Sequence, residues 1–194
     1  FSLTKNGKYV KFEFGIELDF RDIQLIYKIK KILGVGTVDI RERKNRKTVI
    51  FRIRNKSHLI NIILPIFDQY PLFSNKQYDY LRFRESLLTN VTLYENLPHY
   101  IRPLEPLNSI ETILSASYFQ IWLIGFIEAE GCFSIYKPVK DNSKVVSFEI
   151  AQTNGAIIIE AIKKFLSLTP KVTMDSTNCF KLKVSSVRAV ENIV

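Results

Sequence analysis

The sequence predicts an α+β fold: a tandem pseudo-twofold repeat of αββαββα units whose strands form curved antiparallel sheets. Three observations predict it. The first is self-similarity, the mark of a duplicated architecture. Phe1-Ser2-Leu3 matches Phe133-Ser134-Ile135, and Phe12-Glu13-Phe14 matches Phe148-Glu149-Ile150. Ile29-Lys30-Lys31 matches Ile162-Lys163-Lys164, and Phe51-Arg52-Ile53-Arg54 matches Phe180-Lys181-Leu182-Lys183, all in one order and at nearly constant separation. The second is apolar/polar alternation in short stretches, the period of a half-buried strand. The third is helical spacing of apolar residues in the segments between them.

Each element follows from its own residues. From Tyr9 to Leu18, Val10, Phe12, Phe14, Ile16 and Leu18 take one face, and Tyr9, Lys11, Glu13 and Glu17 the other. Asp22 to Leu33 is a helix carried by Ile23, Ile26 and Ile29, and Gly34-Val-Gly36 ends it. No Lys-Ser/Thr pair follows those glycines, so they are a cap and turn rather than a phosphate loop. Val38 and Ile40 alternate with Asp39, Arg41 and Arg43, Lys44 to Lys47 turns the chain, and Val49, Phe51 and Ile53 alternate with Ile50, Arg52 and Arg54. Ser57 to Phe67 is a second helix, expected to stop near Pro65, and Lys76 to Leu87 a third.

The second repeat has the same order: a strand with Val146, Phe148 and Ile150 inward, a helix from Ala156 to Leu168, strands around Val172 and Phe180–Val184, and a helix starting at Ser186. Thr89 to Ser117, with Pro98, Pro103 and Pro106, has linker composition. Residues 1–100 are therefore assigned to the first repeat plus linker, and 101–194 to the second. A helix preceding Phe1 and helices following Val194 are expected from the repeat.

Composition bounds function. The chain is 46% hydrophobic and carries 28 Lys and Arg against 19 Asp and Glu, a net charge of +9. It can bury a core, and its charge favours a polyanionic partner, nucleic acid before an anionic membrane. Two cysteines, Cys132 and Cys179, form no C-x-x-C pair, and two histidines are scattered, so neither a disulfide framework nor a zinc site is indicated. The longest apolar runs are too short to span a bilayer, and a soluble protein is expected. Residue choice leans to Ile, Leu, Lys, Asn, Phe and Tyr, whose codons are A/T-rich, as in an organellar genome.

Charge is also patterned. Alternation places Lys11, Arg41, Arg43, Arg52 and Arg54 on the exposed face of the first sheet, and Lys181 and Lys183 at the positions of Arg52 and Arg54 in the second. With Lys137 and Lys171 they form a candidate nucleic-acid surface, since a β-ribbon fits the major groove and Arg and Lys contact phosphates and guanine edges.

The chemistry centres on Phe119 to Phe133. This apolar helix closes with Glu128 and Glu130, then Gly131 at the place of a left-handed cap. Gly125 and Ala129, four residues apart, share a face with Trp122 and Phe126 and leave a groove where another backbone could approach. Anions in a last turn oppose the helix dipole at a cost of about 0.3–1 kcal/mol each. Such carboxylates call for a cation, and a protein gripping nucleic acid can present them to Mg²⁺, which binds through one or two carboxylates plus phosphate.

Trp122-Leu-Ile-Gly-Phe-Ile-Glu-Ala-Glu-Gly-Cys-Phe133 resembles the signature of the LAGLIDADG homing endonucleases and the related intron maturases. Leu123, Gly125, Ile127, Ala129 and Gly131 match the signature, and Glu128 and Glu130 stand for its two acids. The resemblance implies paired signature helices packed through Gly125, Ala129, Trp122 and Phe126, with the sheets forming a DNA-binding saddle. It implies that Glu130, with the main-chain carbonyl of Ala129, holds a divalent metal such as Mg²⁺ that cleaves a DNA phosphodiester. Pro71-Leu-Phe-Ser-Asn-Lys76-Gln resembles the stretch carrying a basic residue near the metals, making Lys76 the candidate to stabilise charge. Polar strand residues that some relatives carry near the site correspond to Gly15 and Ala151, with Gln152 a substitute facing the groove. A monomer with internal pseudo-twofold symmetry in mitochondria is the expected context. Two functions remain open: an intron-encoded endonuclease making a double-strand cut in a long DNA site, or a maturase that binds its group I intron RNA and assists splicing without cleavage.

Overall fold

Strand β2 (Tyr9–Asp19) is the spine of the first unit, and its alternation is realised: Phe12 and Phe14 are buried while Gly15 and Glu17 face solvent. The structure, a computed structural model, describes residues 1–44, 46–137, 144–191 and 193. Two units result: Phe1–Leu72 with Lys76–Arg102, and Phe73–Asn75 with Pro103–Val194.

In the first unit β1 (Ser2–Asn6), β2, β3 (Thr37–Arg43) and β4 (Arg46–Ile53) form one antiparallel sheet ordered β1-β2-β4-β3. The expected turn at Lys44–Lys47 includes Asn45, which lies outside the described residues. Helix α1 (Ile23–Leu33) crosses one face and buries Ile26. Gly34 ends it at φ 71°, its N–H donating to Lys30 O at 2.9 Å, a left-handed cap for which glycine has no Cβ penalty.

Pro65 does not stop the next helix. The chain runs from α2 (Lys56–His58) through a π-helical turn at Leu59–Ile63 into α3 (Leu64–Gln69), where Pro65 sits in the first turn. The change of hydrogen-bond register places the proline where its missing N–H is not needed. Helix α4 (Lys76–Leu88) adds Tyr80, Phe83 and Leu87, which with Leu59 and Ile63 cover Phe12, Phe14, Phe51 and Ile53.

The second unit repeats the order. Strands β5 (Gly131–Tyr136), β6 (Val145–Thr153), β7 (Thr173–Met174) and β8 (Cys179–Val184) pair as β5-β6-β8-β7. Helices α6 (Phe119–Glu130), α7 (Ala156–Phe165) and α8 (Val187–Glu191) supply Leu123, Ile158, Ile159, Ile162 and Val190 to a core over Phe148, Ile150, Leu182 and Val184.

The expected linker is partly structured. Helix α5 (Ile110–Ser115) begins at Ser109, whose side chain accepts from Thr112 N, and it buries Ile113 completely. A six-residue helix rich in β-branched residues is invisible to periodicity, and tertiary packing stabilises it. Among the described residues no helix is long and apolar enough to cross a membrane.

Candidate active-site helix and nucleic-acid interface

Helix α6 buries Phe119 and Leu123 and leaves Ile121 and Ile124 at 77% and 63% exposure. Trp122 and Phe126 stack on one another at 4.7 Å, and Trp122 meets the edge of Phe73 at 5.0 Å. Both therefore pack on the core of their own unit, and at intermediate burial they remain on the helix face that carries Gly125 and Ala129. The open stripe is Gly125 and Ala129, continued one turn back by Ile121; a Cβ added at Gly125 would meet nothing within 4 Å. Ile121 and Ile124 went unnoticed in the sequence because a helix apolar on nearly all sides does not reveal which side is covered.

Glu128, Ala129 and Glu130 are all exposed, and Glu130 is the last residue of α6. Gly131 is not a left-handed cap. At φ −81°, ψ 144° it passes directly into β5 and pairs with Ile150. Glycine is required here for a different reason: a Cβ would lie 2.4 Å from Ile127 O. The close helix-to-strand passage holds Glu130 at the junction.

The donor set suits a hard cation in part. Among the described residues no ion pair engages the Glu130 carboxylate, and Ala129 lies in the last turn, where carbonyls lack intrahelical donors. Among the described residues no three His, Cys, Asp or Glu side chains come together. One carboxylate and one carbonyl fit Mg²⁺, which completes its shell with water and phosphate. Lys76 is exposed at the first residue of α4 in the first unit.

Strand register places the cations. Gly15 opposes Arg52 and Thr37 opposes Arg52 from the other side, so Lys11, Glu13, Asp39, Arg41, Arg43, Arg52 and Arg54 share the sheet face away from the helices. In the second sheet Ala151 opposes Lys181 and Glu149 opposes Lys183 on the corresponding face. Gln152 opposes Phe180, on the helix-covered face with Phe148 and Ile150, so it does not face the groove with the lysines. It packs instead against Gly155 at the start of α7, where a Cβ would come within 2.5 Å of its side chain. Lys137 and Lys171 are exposed outside the strands.

The face is not uniformly cationic. Glu13 gathers Arg54 Nε at 2.5 Å, Lys11 Nζ at 3.5 Å and Arg52 Nε at 3.6 Å, and Arg52 Nη1 donates to Asp39 at 2.8 Å. Burial raises the Glu13 pKa, but the Arg54 hydrogen bond and the charges of Arg54, Lys11 and Arg52 together hold it below the usual carboxylate range. Asp175 accepts from Thr177 Oγ1 at 2.6 Å, Thr177 N at 2.9 Å and Cys179 N at 3.2 Å and pairs with Lys181, and its carboxyl is held well below its ordinary value.

The profile of the LAGLIDADG endonuclease family matches residues 1–87 and 123–194. The chain belongs to the LAGLIDADG endonuclease family. It is 32% identical over 186 residues to a probable intron-encoded endonuclease, Cox1-I1b, of Schizosaccharomyces pombe, covering 87% of this chain and 46% of that protein. It is 34% identical over 172 residues to the probable intron-encoded endonuclease aI3 of Dictyostelium citrinum, covering 86% and 65%. The chain thus spans about half to two thirds of the length of these relatives. The meganuclease I-SmaMI bound to uncleavable DNA has the same fold, with a TM-score of 0.75 at 23% identity, covering 98% of this chain and 75% of that one. The second segment matched by the family profile begins at Leu123, inside α6.

Proposed function

We propose that the chain belongs to an intron-encoded, site-specific DNA endonuclease that makes a divalent-metal-dependent double-strand cut, in mitochondria. The observation that carries this reading is Glu130: an exposed carboxylate at the end of the signature helix, held where the helix passes into a sheet. Family membership and the intron-encoded endonucleases among the relatives support it, as does the A/T-rich-codon residue bias for an organellar gene.

The chain's own residues then divide the work. Arg41, Arg43, Lys137 and Lys171 attract the phosphates of a long duplex. The Gly125–Ala129 stripe receives a sister helix, an arrangement a monomer with internal pseudo-twofold symmetry supplies. Glu130 and the Ala129 carbonyl would hold the divalent ion, and Lys76 would stabilise charge on phosphate oxygens. When bound, the ion supplies Lewis-acid polarisation and an activated water.

The test is incubation of the full-length protein with its intronless exon-junction DNA and Mg²⁺. A double-strand cut is expected, and Glu130→Gln should abolish it while leaving binding in place. Accelerated splicing of a group I intron RNA without cutting would refute the nuclease reading and favour a maturase; cutting retained by Glu130→Gln would refute the metal role.

A further inference from the structure

The cations at the centre of each sheet are neutralised in a duplicated pattern. In the first sheet Arg54 Nε donates to Glu13 Oε2 at 2.5 Å, and Arg52 Nη1 to Asp39 Oδ2 at 2.8 Å. In the second, Lys183 Nζ lies 3.6 Å from Glu149 and Lys181 Nζ lies 3.2 Å from Asp175. Glu13 and Glu149 occupy matching places in the repeat, as do Arg54 and Lys183, and Arg52 and Lys181. Both positions in each sheet thus carry a cation paired to a carboxylate, and in the first sheet Glu13 also reaches Arg52 and Lys11.

Arg52 shows how firm the arrangement is: its side chain is only 9% exposed, between Glu13 and Asp39. By contrast, among the described residues Arg41, Arg43, Lys137 and Lys171 are exposed with no carboxylate in ion-pair range. A face decorated only for solubility has no need of acids at the same two places in both repeats. A carboxylate on a polyanion-facing sheet repels phosphate and weakens indiscriminate binding, because like charges brought together suppress wrong partners.

We propose that Glu13 and Glu149 are specificity-determining residues, which hold Arg54 and Lys183 off the phosphates of random-sequence DNA. The inference rests on the reading that these sheet faces meet DNA. Non-specific attraction then comes from Arg41, Arg43, Lys137 and Lys171, and the sheet centres engage only a duplex whose base edges replace the carboxylate pairings.

The test is binding of random-sequence duplex DNA by the 194-residue chain over a salt series. Glu13→Gln with Glu149→Gln should bind more tightly. Its log–log salt slope should steepen by about 0.9 for each further phosphate that Arg54 or Lys183 neutralises, about 2 in all. Salt-dependent binding by the parent with an unchanged slope in the variant overturns the inference alone. Absence of salt-dependent binding by the parent overturns the DNA-facing reading, and the inference with it. Should the double variant unfold, arginine Nε–H resonances of the parent decide: saturating random duplex should move Arg41 and Arg43 and leave Arg54 in place, and an Arg54 shift as large as that of Arg41 overturns the proposal.

Discussion

Gly131 and Ile127 approach so closely that a Cβ on the glycine would lie 2.4 Å from the Ile127 carbonyl oxygen. The contact lets α6 run into β5 with no intervening loop. Gly131→Ala should cost about 1–3 kcal/mol, since extra atoms in a filled space force backbone shifts. Urea unfolding measures the cost; under the proposed endonuclease function, displacement of Glu130 should reduce cutting more than DNA binding.

Gly125 is the opposite case. A Cβ there meets nothing within 4 Å, and the residue lies inside α6. Gly125→Ala should therefore stabilise this chain by about 0.5–1 kcal/mol through helix propensity. The sister helix proposed for this face would meet the added Cβ and reverse the sign, so urea midpoints of Gly125→Ala measured with and without that helix check the proposed pairing.

Acid should weaken the first unit through Glu13. Its folded pKa lies below the unfolded value, so its stabilising contribution is complete above the ordinary carboxylate range near pH ~4.3 and fades as pH falls through the lowered folded value. Asp175, held low first by the Thr177 hydroxyl and amide, loses its contribution at still lower pH. Urea midpoints should fall as pH drops below about 5, and Glu13→Gln should fall less steeply over that range.

Ile113 lies in a segment of linker composition yet is fully buried. Ile113→Ala should cost about 2–5 kcal/mol, the range for emptying a core site. A loss below about 0.5 kcal/mol, as at an exposed linker position, would refute the packed role.

Much of the fold was legible. Val10, Phe12 and Phe14 announced β2, and Ile23, Ile26 and Ile29 announced α1, because burial on one side imprints a period. The placing of Glu130 at a helix end was legible from the apolar run that precedes it. What escaped has a common cause. The continuation of the helix past Pro65 depends on a π-helical turn, and the exposure of Ile121 and Ile124 depends on which side of α6 its neighbours cover. The inward position of Gln152 depends on register with Phe180.

The sequence alone determined the duplicated strand and helix order, the polar face of each sheet and the carboxylates that end α6. These follow from local periodicity and motif, which each segment carries by itself. Only the tertiary structure decided that Glu13 meets Arg54, that Asp39 meets Arg52, and that Gly131 serves a close approach rather than a left-handed turn. Alternation assigns a side chain to a face. Its partner there is set by which strands lie side by side and in what register, and residues far apart in the chain settle that.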